Sequence, residues 1–276
     1  MWSSNVSLEL DLTPAAQRAP LRVATYNIHK GVQGMGPARR LEIYNLARAV
    51  QSLDADIICL QEVHGVNRRE ARRFRLWPDA PQADLLAPEG YQSAYVTNAI
   101  TRHGEHGNAL LSRWPIISRQ HEDMSDHRFE QRGLLHVQLR RPDQILHVVV
   151  VHFGLIPASR VRQAEQLKRY IAREIPPEAP LVVAGDFNDW GMRIRRLLCV
   201  DDLRAFEGAR TLTYPARFPV TQLDHIYARG LEPLQLYTPQ GRMWRRISDH
   251  LPLIADFDFN QPSPHILTAG DSMVVA

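Results

Sequence analysis

Polar side chains able to bind a metal ion or to transfer a proton stand just beyond several short apolar runs of the sequence. They are Asn27, Glu62, His152, the pair Asp186 and Asn188, and the pair Asp249 and His250. Taken singly, each fits an ordinary turn, cap or core histidine. Burying so many polar groups without a purpose is costly, so their joint occurrence at strand ends favours one shared site.

The chemical types in this set indicate which chemistry to expect. Carboxylate and amide oxygens predominate, and they favour Mg²⁺ or Mn²⁺ over zinc. A covalent nucleophile has less support, because no GxSxG motif occurs and neither cysteine lies beside a histidine. We therefore expect a hard divalent cation at the shared site.

The elements that must position these residues are alternating strands and helices. Hydrophobic periodicity predicts strands at 21–28, 57–63, 93–97, 108–112, 116–124, 133–139, 145–153, 181–186, 223–229 and 253–259. It predicts helices at 38–53, 157–174 and 192–198. Strands first alternate with helices and then follow one another in a run. This order of elements occurs twice along the chain. This order predicts two packed sheets with helices outside them.

The segment 64–91 interrupts this rhythm and contains an arginine-rich stretch. Its arginines are Arg68, Arg69, Arg72, Arg73 and Arg75. A partly helical excursion over one edge of the domain is expected here. The arginines form either a solvated surface, which is the commoner case, or a groove that follows a phosphate backbone.

Composition limits the class of protein. The 276 residues are 44% hydrophobic and carry a formal net charge of +3, which permits an anionic partner without demanding one. No apolar run approaches the ~20 residues that a membrane helix needs, so no integral membrane association is expected. Cys59 and Cys199 lie among apolar neighbours, which predicts buried thiols in a reducing cytoplasm. Nothing in the sequence calls for an obligate protein partner.

Three segments are predicted along the chain. Residues 1–20 form an amino-terminal extension without the features of a signal peptide. Residues 21–260 form the folded domain. Residues 261–276 lose all periodicity and contain a Pro-Ser-Pro sequence, which predicts a disordered tail.

Seven motifs in a fixed order carry a resemblance to a known family. They are TYNIHKG (25–31), QEV (61–63), HGNALLSRWPI (106–116), VVHFG (150–154), GDFND (185–189), LDHIY (223–227) and SDHLP (248–252). Together they resemble the endonuclease/exonuclease/phosphatase superfamily, which has the DNase I-like fold. The first and third motifs are most similar to uncharacterised bacterial cytoplasmic members. The resemblance implies a four-layer α/β sandwich of two packed mixed sheets flanked by helices.

The resemblance also implies a metal site and an acid–base site. Glu62 and Asn27 would hold Mg²⁺ or Mn²⁺, with Asp249 near or on the same cation. Asp186 would orient or deprotonate the attacking water, and Asn188 would hold the phosphate or the nucleophile.

Further residues are implied to act on the phosphate. His250 would contact the scissile phosphate or take a proton, and Asp224 would orient its imidazole. His152 would be a second histidine across the phosphate, and Arg132 a phosphate-binding arginine. Lys30, which is unusual for nucleases, either binds a second phosphate or caps a loop. Relatives often have an arginine directly after the aspartate that corresponds to Asp224, whereas this chain has His225 there.

Three functions follow as hypotheses. The first is a metal-dependent phosphodiesterase of the nuclease type acting on nucleic acid. The second is a phosphatase or phosphodiesterase for a small or lipid-derived phosphate, since one site serves different substrates in such families. The third, a catalytically silent binding module, is disfavoured because every implied catalytic position is filled.

Overall fold

Two large mixed sheets and two groups of helices make up the computed structural model, which describes residues 20–34, 36–142, 144–199, 203–208 and 210–259. The strands are β1 (Leu21–Asn27), β2 (Val32–Gln33), β3 (Arg40–Leu41), β4 (Ile57–Asn67), β5 (Gln92–Thr101), β6 (Gly104–Ser112), β7 (Ile116–Asp123), β8 (Gly133–Arg140), β9 (Ile145–His152), β10 (Leu181–Asp186), β11 (Arg204–Ala205), β12 (Asp224–Arg229), β13 (Glu232–Tyr237) and β14 (Leu253–Asp258). The helices are α1 (Ile43–Ser52), α2 (Arg68–Arg73), α3 (Gln82–Leu86), α4 (Pro157–Glu174), α5 (Arg193–Leu198) and α6 (Trp244–Ile247).

The two sheets share one pattern of strand pairing. The first has the order β13-β14-β1-β4-β6-β5 and the second β11-β12-β10-β9-β8-β7. In each sheet, one parallel pair, β1 with β4 or β9 with β10, lies between antiparallel neighbours. Each parallel pair ends at the expected site. Asn27 is opposite Gln61, the residue before Glu62, and Asp186 is opposite His152.

Alternating side chains of the central strands enter two different apolar layers. In β9, Val148 and Val150 pack between the sheets, whereas Val149 and Val151 pack beneath α4 and α5. On the other side, α1, α3 and α6 cover the outer face of the first sheet. Strands that are buried on both faces have continuous apolar sequences, such as Leu181–Asp186. The predicted four-layer α/β sandwich is confirmed.

Helix α4 has the predicted bounds, and most strands begin or end within two residues of prediction. The predicted helix 38–53 begins later, at Ile43, because Arg40–Leu41 pairs with Val32–Gln33 as a small hairpin. The predicted strands 93–97 and 108–112 are longer, since their pairing continues through a bulge at Thr97 as far as Gly104. Strands β11 and β13 and helices α3 and α6 were not predicted.

The cysteine prediction is half right. Cys59 is buried between the sheets, but Cys199 is exposed at the end of α5, so its expected burial is wrong. Both thiols are free. The predicted extension 1–20, apart from Pro20, and the predicted tail 261–276 lie outside the described residues. Within the described part of the chain, no helix is both long and apolar enough to span a bilayer.

Candidate active site

Asn27 connects the two sheets at the centre of the site. It is the last residue of β1, and its Nδ2 donates to Glu62 Oε1 at 3.3 Å and to Asp186 Oδ2 at 3.1 Å. Glu62 has a left-handed backbone (φ 56°) at an irregularity in the pairing of β4 with β6. This backbone turn interrupts the strand's regular alternation at Glu62.

A histidine and a lysine follow Asn27 and face the acidic residues. Lys30 Nζ lies 3.3 Å from Glu62 Oε2, and His29 Nδ1 lies 2.9 Å from Asp249 Oδ2. Burial opposes ionisation of Glu62, but nearby positive charge, that of Lys30 foremost, and the hydrogen bond from Asn27 outweigh it and hold the pKa of this carboxyl well below its usual value. Lys30 thus lies within the site, and its phosphate-binding role stays a prediction. His29, which was not predicted, belongs to the same motif.

Asp186 is the last residue of β10. The preceding residue, Gly185, allows β10 to approach the neighbouring β9 closely at this point. A side chain at Gly185 would overlap the carbonyl oxygen of Val151 on the neighbouring β9. Asp186 Oδ1 accepts from the Asn188 backbone N–H at 2.9 Å, while Oδ2 lies 3.6 Å from Nε2 of both His152 and His250. Burial raises the pKa of Asp186 to about 7, against the opposing effect of His250. A carboxyl with this pKa suits a general base near neutral pH.

His250 is held by Asp224 from the second sheet. Its Nδ1 is 2.9 Å from Asp224 Oδ2, so Nδ1–H donates and Nε2 faces Asp186. Burial alone would lower the pKa of His250, but Asp224 and Asp186 raise it to about 10. The ring is therefore an imidazolium at neutral pH. The ring of Tyr214, which was not predicted, lies beside it, with centroids 4.9 Å apart.

Ser248 fixes the segment that carries Asp249 and His250. Its hydroxyl donates to the Asn27 carbonyl oxygen at 2.7 Å and accepts from the His250 backbone N–H at 3.3 Å. Sequence analysis did not single out this residue. The serine of the SDH motif thereby joins the segment before β14 to the end of β1.

Asn188 and Arg132 meet at a backbone carbonyl rather than at the carboxylates. Asn188 Nδ2 donates to the Phe153 carbonyl oxygen at 2.9 Å, and Arg132 Nε donates to the same oxygen at 3.2 Å. Arg132 also pairs with Glu130 at 3.1 Å. Burial, with help from the charge of Arg132, holds the pKa of His152 well below its usual value, so this imidazole is neutral. The phosphate-binding role of Arg132 stays a prediction.

The donor atoms fit a hard divalent cation at the Glu62 side of the site. Glu62 and Asp249 are carboxylates that repel one another. Burial and the charge of Glu62 oppose ionisation of Asp249, but His29 and His250 outweigh them and hold the pKa of Asp249 below its usual value. Carboxylate and amide oxygens are the ligands that Mg²⁺ and Mn²⁺ prefer.

Another group, Asp186, Asp224 and His250, is the one in the described residues whose carboxylate and imidazole ligand atoms all lie within 4.8 Å of one another. It fits less well, because the His250 imidazolium has no free nitrogen lone pair and already occupies Asp224 Oδ2. By ligand type, the Glu62 side is the better candidate for the cation, with Asp249 as its second carboxylate. An ion there would displace Lys30 from Glu62 and His29 from Asp249. Asn27 turns Nδ2 toward Glu62 while its Oδ1 accepts from the His29 backbone N–H at 3.0 Å, so its amide would have to rotate to bind the ion through oxygen.

Comparisons with known proteins identify the family of this chain. The model of the endonuclease/exonuclease/phosphatase family matches residues 24–250. The uncharacterized protein YbhP of Escherichia coli (strain K12) is 37% identical over 249 residues, which are 87% of this chain and 97% of that protein.

Solved structures share the fold. A Bacteroides vulgatus endonuclease/exonuclease/phosphatase matches with a TM-score of 0.65 and 20% identity, covering 87% of this chain and 99% of that one. The human Nocturnin catalytic domain matches with a TM-score of 0.65 and 20% identity, covering 87% and 93%. A Bacteroides thetaiotaomicron mannosyl-6-phosphatase, Bt3783, matches with a TM-score of 0.64 and 20% identity, covering 87% and 100%. The chain belongs to the endonuclease/exonuclease/phosphatase family.

Proposed function

We propose that this protein is a divalent-metal-dependent hydrolase of phosphoesters. One observation carries the proposal: the buried Asp186 carboxylate, with a pKa raised to about 7, lies 3.6 Å from both the neutral His152 and the cationic His250. Asn27 joins this group to the oxygen donors around Glu62. When bound by Glu62, Asn27 and Asp249, Mg²⁺ or Mn²⁺ would neutralise charge on the phosphoryl oxygens.

The protein's own residues divide the remaining work. Asp186 takes a proton from the attacking water while the water oxygen bonds to phosphorus and the bond to the leaving oxygen breaks. The His250 imidazolium stabilises negative charge on the phosphoryl group, because it is already positioned by Asp224. Asn188 and His152 border the same space and hold the phosphate or the water.

Two substrate classes have a specific observation in their favour. For nucleic acid, α2 follows directly on the strand that carries Glu62, and its arginines are exposed. The buried Glu70 anchors this helix through Arg39 at 2.6 Å. For a lipid-derived phosphate, large apolar side chains are exposed on loops next to the site. A silent binding module has no such support, because the acid–base residues are in contact.

A parallel turnover screen tests the proposal. Plasmid DNA, abasic duplex, RNA, inositol phosphates, a phospholipid and bis-(p-nitrophenyl) phosphate are compared with Mg²⁺, Mn²⁺ and EDTA. We expect turnover with metal, none in EDTA, and losses of several orders of magnitude in Asp186→Ala and His250→Ala. Glu178→Gln is the control, because Glu178 is an exposed carboxylate at the opposite end of β10 from Asp186. Activity retained in both alanine variants would refute the assigned roles.

Ionic strength separates the two substrate classes. Affinity for a nucleic acid falls steeply as salt rises, whereas affinity for a small phosphate changes far less. Neutralising Arg68, Arg69, Arg72 and Arg73 should weaken binding of nucleic acid in a low-salt gel shift. Unchanged affinity would remove the phosphate-groove hypothesis.

A further inference from the structure

Loops bordering the site expose large apolar side chains, which we call the apolar rim. The rim consists of Phe129, Leu155, Ile156, Trp190, Phe218 and Val220. The largest exposed fractions are 84% for Phe129, 79% for Phe218 and 72% for Val220. Single exposed apolar residues are normal on a protein surface, but a set around one site indicates an interaction surface.

One part of the rim reaches the site through Tyr214. The ring of Trp190 packs against Tyr214 with centroids 5.7 Å apart, and Tyr214 packs against His250. Phe218 and Val220 lie in the turn between Tyr214 and Thr221, which form an isolated β-bridge. The turn is tied to the site because the Ala216 backbone N–H donates to the Asp249 carbonyl oxygen at 2.7 Å.

The other part of the rim reaches the site at Asn188. The Leu155 backbone N–H donates to Glu130 Oε1 at 2.9 Å, and Glu130 pairs with Arg132. Arg132 and Asn188 share the Phe153 carbonyl oxygen, while the Trp190 backbone N–H donates to the Asn188 carbonyl oxygen at 3.0 Å. Both parts of the rim therefore meet at the same catalytic loop.

Arginines accompany these apolar side chains. Arg128 lies over the ring of Phe129 at 4.6 Å from its centroid, and Arg217 precedes Phe218. The segments 210–223 and 238–248 contain five arginines and no Asp or Glu. They enclose a cavity of about 440 Å³ in which Arg210 and Arg245 lie beside Leu212 and Pro219. The surface thus combines protruding apolar tips with several arginines.

We propose that the apolar rim docks the protein on an anionic phospholipid bilayer, with the active site facing the membrane. Apolar tips enter the boundary between headgroups and acyl chains, while flanking arginines bind anionic headgroups. A single-stranded nucleic acid fits less well, because Leu155, Ile156 and Val220 offer no flat face on which bases stack. The inference rests on the proposed function only for the identity of the site, since docking needs no turnover.

Vesicle co-sedimentation of the full-length protein tests the proposal. We expect binding to phosphatidylglycerol/phosphatidylcholine vesicles and little binding to phosphatidylcholine alone. Phe218→Ser combined with Val220→Ser should weaken partitioning about tenfold or more. Substituting Arg217, Arg242 and Arg245 with serine should remove the preference for anionic vesicles. Ile145→Ser is the matched control, because Ile145 is exposed at the other end of β9 from His152.

Several outcomes would overturn the proposal. Absence of binding to anionic vesicles at low salt would do so, as would equal losses in the Ile145→Ser control. Loss of affinity for a single-stranded oligonucleotide in the Phe218/Val220 variant, with vesicle binding unchanged, would show a nucleic-acid platform instead. Turnover of bis-(p-nitrophenyl) phosphate by the wild-type protein reports on the proposed function separately: its absence alongside vesicle binding would refute the activity and leave the docking intact.

Discussion

Asp186, His250 and Asp224 share one buried pocket, and each changes the protonation of its neighbour. Asp224 favours the charged form of His250, while burial, opposed by the charge of His250, brings the pKa of Asp186 to about 7, so that the ionised carboxylate is populated near neutral pH. A base and an imidazolium can therefore coexist 3.6 Å apart near neutral pH. Asp224 acts through His250 and is a positioning residue.

Asp224→Asn tests this positioning role. The amide keeps the size of the side chain but removes the charge that favours the imidazolium, so the pKa of His250 should fall. We expect turnover to decrease by about two orders of magnitude or more, and the pH profile to shift. An NMR titration of the His250 ring, combined with kinetics at several pH values, measures both effects. An unchanged pH profile would contradict the assignment.

Sequence analysis identified the acidic residues of the site but missed some of their partners. Asn27, Glu62 and Asp186 each end or follow an apolar run, and this position in the sequence is visible without a structure. Ser248 carries no such signal, because its hydroxyl bonds to the carbonyl oxygen of Asn27 at the other end of the chain. Only tertiary packing brings the two together.

At the scale of elements, Gly185 decides how closely β9 and β10 approach where they present His152 and Asp186. Gly185→Ala should destabilise the protein and lower turnover, because the added Cβ would overlap the Val151 carbonyl oxygen. Gly191→Ala is the control, since nothing lies within 4 Å of a Cβ there. Thermal melts and turnover numbers for both variants measure the difference. Equal losses of stability and turnover in the two variants would mean that the close approach of β9 and β10 at Gly185 is unimportant.

A histidine chain connects β8, β9 and α4 away from the site. His136 Nε2 lies 2.9 Å from His147 Nδ1, and His136 Nδ1 lies 3.1 Å from the Tyr170 hydroxyl. Burial, with the neighbouring His147, lowers the pKa of His136 to about 4. The folded protein therefore holds this ring neutral where the unfolded chain would protonate it.

This arrangement predicts a loss of stability in acid. The stabilisation is fully present above about pH 6.5 and decreases as the pH falls toward 4, by on the order of 2 kcal/mol. Urea unfolding at pH 7 and pH 5 measures it. His136→Gln should show a smaller change between the two pH values than the wild type. If the two proteins lose equal stability, another group is responsible.

Elements were predicted where their burial follows a regular period. Helix α4 keeps one apolar face, with Ala164, Leu167 and Ile171, along its whole length, and its bounds were predicted correctly. Strand β13 was missed because none of its residues is buried, so it shows no hydrophobic alternation, and it contains Pro233 at a bulge. An edge strand of this kind is defined by pairing with β14 rather than by its own sequence.

For the whole molecule, the acidic Glu62 side of the site predicts metal-dependent stability. Binding of Mg²⁺ or Mn²⁺ only to the folded state should raise the melting temperature, with about 2.7 kcal/mol gained at a hundredfold excess over Kd. EDTA should reverse the rise, and Glu62→Gln should abolish it. Glu178→Gln, which changes an exposed carboxylate, should retain it. A rise that persists in Glu62→Gln would place the ion elsewhere.

The position of β14 has a consequence for biosynthesis. This strand, which follows Asp249 and His250, inserts between β1 and β13, so the earliest strand of the described fold is completed by the last. A nascent chain that has emerged only as far as β12 already carries Asp186 and Asp224 but lacks the histidine between them. A nascent chain in which β14 has not yet paired would therefore lack the proposed catalytic centre, which is completed only when β14 takes its place between β1 and β13.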